Sequence, residues 1–204
     1  MKKILSIMMM ISACFLVGCG SSENGAAQAS SAAQERPADA IIDKIPDGLQ
    51  GKKALIAYYS WSGHTKAVAE QIQQETGADI FFIQPGKEYP QDYSECVDIA
   101  KTEMNENARP PVSSTVDNMG QYDVIFVGYP IWWGKAPMFI YTFLENYDLN
   151  GKIIVPFCTT GGTPIGGSIT DIRTSAAGAQ IVQGSESSDP AAVSEWLKNI
   201  GAVQ

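Results

Sequence analysis

The sequence predicts an α/β fold: a doubly wound, five-stranded parallel sheet with helices on both faces. Three observations predict it. From Lys52 onward, short apolar runs alternate with amphipathic stretches of helical period. The runs are apolar throughout rather than at every second residue, as strands buried on both faces must be. The body is also about 150 residues long, the size of one doubly wound domain.

The elements follow in order. "KKALIAYYS" is the first strand. "TKAVAEQIQQETG" is a helix with Thr65, Val68, Ala69, Ile72 and Thr76 on one face and Gly77 as its stop. "ADIFFIQP" is the second strand, ended by Pro85. A long segment, 86–120, comes next. Its middle, 92–107, has the texture of one helix, and Pro90, Pro110 and Pro111 break its ends. "YDVIFVGYP" is the third strand, and "PMFIYTFLENY" a helix with Ile140, Phe143, Leu144 and Tyr147 in register. "GKIIVPFCTT" is the fourth strand, where Pro156 removes a ladder donor and marks an irregularity. "AQIVQGSE" is a short fifth. "DPAAVSEWLKNIG" closes the chain as a helix, with Asp189 at the N-cap and Pro190 after it. Val193, Trp196, Leu197 and Ile200 face inward, and Gly201 follows.

Composition narrows the function. The chain has 204 residues, is 45% hydrophobic and 18% charged, and so can bury a real core. A net charge of -8 repels phosphate backbones and disfavours nucleic acid as a partner. Ahead of the body, "MKKILSIMMMISACFLVGC" opens on two lysines and an apolar run from Ile4 to Val17. That run is short for a membrane span and has the form of a secretory leader. "LVGC", ending at Cys19, resembles a bacterial lipoprotein processing site. The resemblance implies a signal peptide over 1–18, a lipidated Cys19, and an extracytoplasmic protein anchored to the membrane by its acyl chains. The competing possibility is ordinary secretory cleavage beside an incidental cysteine. Residues 20–40 are rich in Gly, Ser, Ala and Gln, as a flexible tether is. The expected organisation is therefore a leader over 1–18, lipidated cysteine and tether over 19–50, and one folded domain over 51–204. Cys96 and Cys158 remain in the body. No spacing signature pairs them, and Cys158 lies in an apolar run that suits a buried free thiol.

In open parallel sheets, ligands sit beyond the carboxyl ends of the strands, where the strand order reverses. Three turns lie there. "SWSGHT", 60–65, leads from a strand into a helix, whose N-terminus can hold an anion without a lysine. Ser60, Ser62 and Thr65 could donate hydroxyls to it, and Gly63 lets the backbone come close. The same residues could equally be plain helix caps. No G-x-x-x-x-G-K-[ST] and no strand-borne G-x-G-x-x-G occurs, which disfavours P-loop and dinucleotide sites. "GYPIWWGKAP" places Tyr129, Ile131, Trp132 and Trp133 in a strand-end loop. They either stack on a flat aromatic ligand or bury under the long segment before strand three. "TTGGTPIGGS" offers backbone N–H and C=O groups to the polar edge of such a ring. His64 is the chain's only histidine. A multi-histidine metal site is excluded, and a Ser-His-Asp triad would have only this candidate, in a turn suited to anions. No metal and no catalytic side chain is expected.

These motifs carry a family resemblance. An apolar strand, then S-x-S-G-H-T, then an amphipathic helix resembles the flavodoxin phosphate loop, [ST]-x-[ST]-G-x-T. "YDVIFVGYPIWWGKAP" resembles strand three and the ring-binding loop of bacterial flavodoxin-like proteins. "GKIIVPFCTTGG" is similar to strand four and the loop after it. The resemblance covers about residues 52–200 and implies noncovalently bound FMN. Ser60, Trp61, Ser62, Gly63, His64 and Thr65 would hold its phosphate. Pro130, Ile131, Trp132, Trp133 and Gly134 would flank its ring, and Thr159, Thr160, Gly161 and Gly162 would line the pyrimidine side. Electron-carrier flavodoxins usually stack a tyrosine from the third loop. This chain has none between Thr159 and Ser168, which leaves one ring face free for a partner or a small substrate. The implied role is a redox protein that exchanges electrons with a partner protein or a small donor or acceptor. An FMN-dependent NAD(P)H quinone or nitro reductase is the alternative, and a cofactor-free binding module is an alternative of another class.

Overall fold

The structure, a computed structural model, describes residues 41–204; the leader, Cys19 and residues 20–40 lie outside the described residues. Six strands are present: β1 (Ile41–Ile42), β2 (Ala54–Tyr58), β3 (Asp79–Phe82), β4 (Val124–Pro130), β5 (Ile153–Thr159) and β6 (Gln180–Val182). Every pair is parallel, in the order β1-β6-β5-β4-β2-β3. The order reverses between β2 and β4, and this is the switch point at which open α/β sheets bind ligands. Among the described residues, four helices connect β2 to β6 in turn, α1 (His64–Thr76), α2 (Tyr93–Asn105), α3 (Met138–Glu145) and α4 (Gly166–Ser175), and α5 (Pro190–Asn199) follows β6.

The central strands β2, β4 and β5 bury both faces, and alternate residues feed two cores. Ile56, Phe126, Val155 and Val182 join Val68, Ile72, Val193 and Leu197 beneath α1 and α5. Leu55, Ile125, Val127 and Ile154 join Phe139, Phe143, Ile169 and Ile172 beneath α3 and α4. That two-sided burial explains the continuous apolar runs. The predicted helix starts hold where a side chain supplies the cap. Asp92 accepts from Glu95 N–H at 3.0 Å, and Asp189 accepts from Ala191 and Ala192 N–H at 2.8 and 3.2 Å.

Two features correct the sequence analysis. The sheet has six strands rather than five. The extra one, β1, pairs Ile41 with Ile181 and Ile42 with Val182, in a stretch the sequence assigns to the tether. Two residues are too few to show a period. The chain is secured just behind them, where Ile45 is buried and its N–H donates to Ile200 C=O at 2.8 Å. The second feature is α4, which the sequence does not announce. It opens on Gly166 and Gly167 and carries β-branched Ile169, Thr170, Ile172 and Thr174, all poor or indifferent helix formers. Packing of Ile169 and Ile172 into the core holds it instead.

Pro156 does mark an irregularity. Its C=O accepts from Ser185 N–H at 3.2 Å, so the missing donor faces the β6 side. There the β5–β6 register ends at Ile154 and Ile181, and no ladder bond is lost. Cys96 and Cys158 are both free and buried, and burial pushes the Cys158 thiol up to about 12.

Candidate functional site

The three turns named from the sequence stand together at the carboxyl ends of β2, β4 and β5, and Thr159 joins them. Its hydroxyl bonds the Thr65 hydroxyl at 2.8 Å, and its C=O accepts from Ile131 N–H at 2.9 Å. Thr65 is itself buried, so this link is fixed on both sides.

In the first turn, the N-cap of α1 is Gly63, at φ 91°, and no hydroxyl caps the helix. Ser60 Oγ instead accepts from Gly63 N–H at 3.0 Å, and Ser62 Oγ pairs with His64 Nδ1 at 2.9 Å. The first helical bond runs from Ala67 N–H to Gly63 C=O at 3.1 Å, which leaves the N–H groups of His64, Thr65 and Lys66 outside the ladder. A Cβ built on Gly63 would meet no atom within 4 Å, so the cradle in front of these groups is open. The first cation beyond the turn, Lys66, pairs with Glu70 one helical turn on. What remains is an open helix start of N–H groups, exposed hydroxyls and helix dipole, without a lysine, an arrangement suited to an anion. Trp61 does not enter it; its indole N–H donates to Pro90 C=O at 2.9 Å.

In the second turn, the adjacent tryptophans part ways. Trp132 is half-buried, packed against the long segment 86–120. Its ring lies 4.9 Å from Tyr89, in the long segment before β4, and 5.9 Å from Tyr59, both edge-on. Such contacts add about 0.5–1.5 kcal/mol each beyond their area and fix Trp132 in the wall. Trp133 is 48% exposed. Its indole N–H reaches Val97 C=O at 3.1 Å, and Lys101 Nζ stands 4.8 Å from the ring centre. Trp132 and Lys135 exchange both backbone bonds, at 2.9 and 3.0 Å, around a two-residue turn with φ 51° at Trp133 and 78° at Gly134. Left-handed backbone at a bulky residue costs about 1–3 kcal/mol and persists only where surroundings impose it. Pro130 and Ile131, half-buried, lead into this turn from β4.

The third turn is closed by Thr160, whose hydroxyl accepts from Gly162 and Thr163 N–H at 3.1 and 2.7 Å and donates to Thr163 C=O at 2.8 Å. Gly161 and Gly162 are exposed with no atom near a notional Cβ, and Gly162 stands at φ 118°. The turn has no aromatic side chain between Thr159 and Ser168. Among the described residues, no group of three or more His, Cys, Asp or Glu side chains could hold a metal ion.

Several residues of this region escape sequence reasoning. Lys135 donates to Asp171 Oδ2 at 2.6 Å and to Gly167 C=O at 3.3 Å, and Ala136 N–H donates to Tyr141 OH at 3.1 Å. Tyr129, expected in the strand-end loop, lies instead within β4 and is fully buried, where it shares a hydroxyl pair with Ser168 at 2.8 Å, and burial drives its phenol well above the ordinary range. Tyr93, 71% exposed, brings its ring 6.4 Å from Trp61. Its only sequence signal is an aromatic directly after the N-cap Asp92.

A flavodoxin family model matches residues 53–200. The chain belongs to the flavodoxin family. Among solved structures, it resembles a protein of Bacteroides eggerthii provisionally named a flavoprotein. The two are 37% identical with a TM-score of 0.65, over 75% of this chain and 99% of that one. A Lactobacillus acidophilus flavoprotein solved in complex with FMN is 28% identical with a TM-score of 0.60, over 71% of this chain and 98% of that one. Among curated relatives, an NAD(P)H dehydrogenase (quinone) of Acidovorax ebreus is 29% identical over 130 residues, or 59% of this chain and 62% of that protein. One of Cupriavidus metallidurans is 30% identical over 118 residues, or 53% and 56%. The chain thus spans about three-fifths of the length of these two relatives. As a flavodoxin, it carries its three turns where the family's order reversal lies.

Proposed function

We propose that this flavodoxin is an FMN-binding redox protein, held at the membrane by a lipidated Cys19, that passes electrons to or from a partner. One observation carries the cofactor: an uncapped helix N-terminus joined through Thr159 to an aromatic turn at the switch point of the sheet. FMN has the two ends this arrangement suits, an anion and a flat ring, and it is the cofactor of the family. Ser62, His64 and the N–H groups of 64–66 receive the phosphate. Gly63 lets it approach, and the α1 dipole offsets its charge. The turn 130–134 borders the ring, with Trp133 as its exposed aromatic. The backbone of 159–162 meets the ring's polar edge. When bound, FMN supplies one- and two-electron redox chemistry that no side chain here could supply.

A reductase reading has its own support. The third turn leaves room for a small substrate, since Gly161 and Gly162 open onto free space. The curated relatives are named NAD(P)H dehydrogenase (quinone). Steady-state oxidation of NADH or NADPH with a quinone separates the two: a pure carrier gives no appreciable turnover, a reductase does. For the anchor, Cys19→Ala is expected to shift the protein from the membrane to the soluble fraction. Retention at the membrane would rule lipidation out as the anchor.

A further inference from the structure

We propose that α4, through Gly167 and Asp171, positions the ring-binding turn 132–135 and thereby sets flavin affinity without touching the flavin. This rests on the FMN-binding assignment of that turn. Two contacts from one helix converge on it. Gly167 lies so close to the turn that a Cβ added there would stand 2.7 Å from Gly134 C=O, inside any tolerable contact. One turn further along α4, Asp171 accepts from Lys135 Nζ at 2.6 Å, and Gly167 C=O accepts from the same ammonium at 3.3 Å. Asp171 also accepts from Tyr141 OH at 3.5 Å, and that phenol takes the N–H of Ala136 at 3.1 Å. Both residues that follow the strained Trp133–Gly134 pair are thereby tied, directly or through Tyr141, to Asp171.

The turn needs such ties. Its φ values of 51° and 78° are not ones a tryptophan chooses, so neighbouring structure must impose them. On the other side, α2 holds only the Trp133 side chain, through Val97 C=O. From α4, Gly167 abuts the turn's backbone at Gly134 C=O and Asp171 holds the Lys135 ammonium. The Lys135–Asp171 pair has side chains 36% and 38% exposed, and half-open ion pairs add little to global stability. Its effect is therefore local, on where the turn sits.

The glycines at the start of α4 supply a matched control. Gly166 has no atom within 4 Å of a notional Cβ, whereas Gly167 abuts Gly134 C=O. The test compares Gly167→Ala, Asp171→Ala and Gly166→Ala in the full-length protein. Two measurements are made: amide exchange at Trp132 and Lys135 without flavin, and dissociation constants for FMN and riboflavin. Gly167→Ala and Asp171→Ala are expected to speed exchange at both amides and to weaken FMN and riboflavin alike, about tenfold, because the ring is common to both. Gly166→Ala should match wild type. Asp171→Glu should restore part of the loss. Should Gly167→Ala fail to fold, Asp171→Ala and the charge-swapped Lys135→Asp, Asp171→Lys pair carry the test. Wild-type exchange and affinities in Gly167→Ala and Asp171→Ala would overturn the proposal. So would a loss confined to FMN. If wild type binds no flavin, the FMN assignment fails, and the exchange data still decide whether α4 holds the turn.

Discussion

The turns 60–65 and 130–135 face the same site but are held in opposite ways. The first is local. Gly63, Ser60, Ser62 and His64 bond among themselves, and its binding groups are N–H donors that any helix start leaves free. Two side chains reach out, Thr65 to Thr159 and Trp61 to Pro90 C=O. The second is imposed from afar. Tyr89 packs on Trp132, Val97 holds Trp133, and Asp171 and Tyr141 hold Lys135 and Ala136. A helix start with free N–H groups can thus be built from consecutive residues, while the aromatic turn needs three other helices.

The comparison can be broken at several points, taken from the largest effect down. Gly128 in β4 underlies both turns, and a Cβ there would stand 2.2 Å from the Phe157 ring. Gly128→Ala should cost about 3 kcal/mol in urea unfolding, at the upper end of overpacking. A change under about 0.5 kcal/mol would mean the strands give way easily, against the close packing of the interior. Next, Ser62→Ala removes a hydroxyl proposed to meet the phosphate, together with its pairing to His64 Nδ1, and hydrogen bonds to charged groups contribute about 1.5–3 kcal/mol. FMN affinity should fall about tenfold or more with riboflavin unchanged; an equal loss for both would place the phosphate elsewhere. Tyr129→Phe affects the ring side alone. Ser168 keeps its bond to Ile165 C=O at 2.7 Å, so the loss should be about 1 kcal/mol of stability. An intact melting curve would show that this pair carries no weight.

The smallest effect is one of pH. Tyr89, which backs Trp132, donates to Glu103 at 2.7 Å. Burial raises the Glu103 carboxyl above its ordinary 4.5, and the Tyr89 bond and Lys87 offset only part of that. The folded state therefore binds this proton more tightly than the unfolded chain. The stabilisation is complete below 4.5 and is lost as pH rises through the folded value. Glu103→Gln should flatten that fall in a urea-unfolding series from pH 4 upward; an unchanged slope would assign the pH dependence to other groups.

What was legible in the sequence follows the same division. Five strands and the helices capped by Asp92 and Asp189 were legible because they rest on apolar runs and local capping. The turn 60–65 was legible as an open helix start because its N–H groups and hydroxyls are consecutive. β1 was not, since two residues in a polar stretch carry no period and depend on β6 for pairing. α4 was not, because packing overrides the weak propensity of its glycines and β-branched residues. The fates of Trp132 and Trp133 could not be divided either. Contacts with Tyr89 and Val97, about forty residues earlier in the chain, decide which ring is the more covered.

The most direct test is flavin binding by the purified wild-type protein. Titration with FMN and with riboflavin, followed by absorbance after desalting, should show retained flavin bands and markedly tighter binding of FMN. Colourless protein, or equal affinity for the two flavins, would contradict the account that the turn 60–65 holds a phosphate and the turn 130–135 its ring.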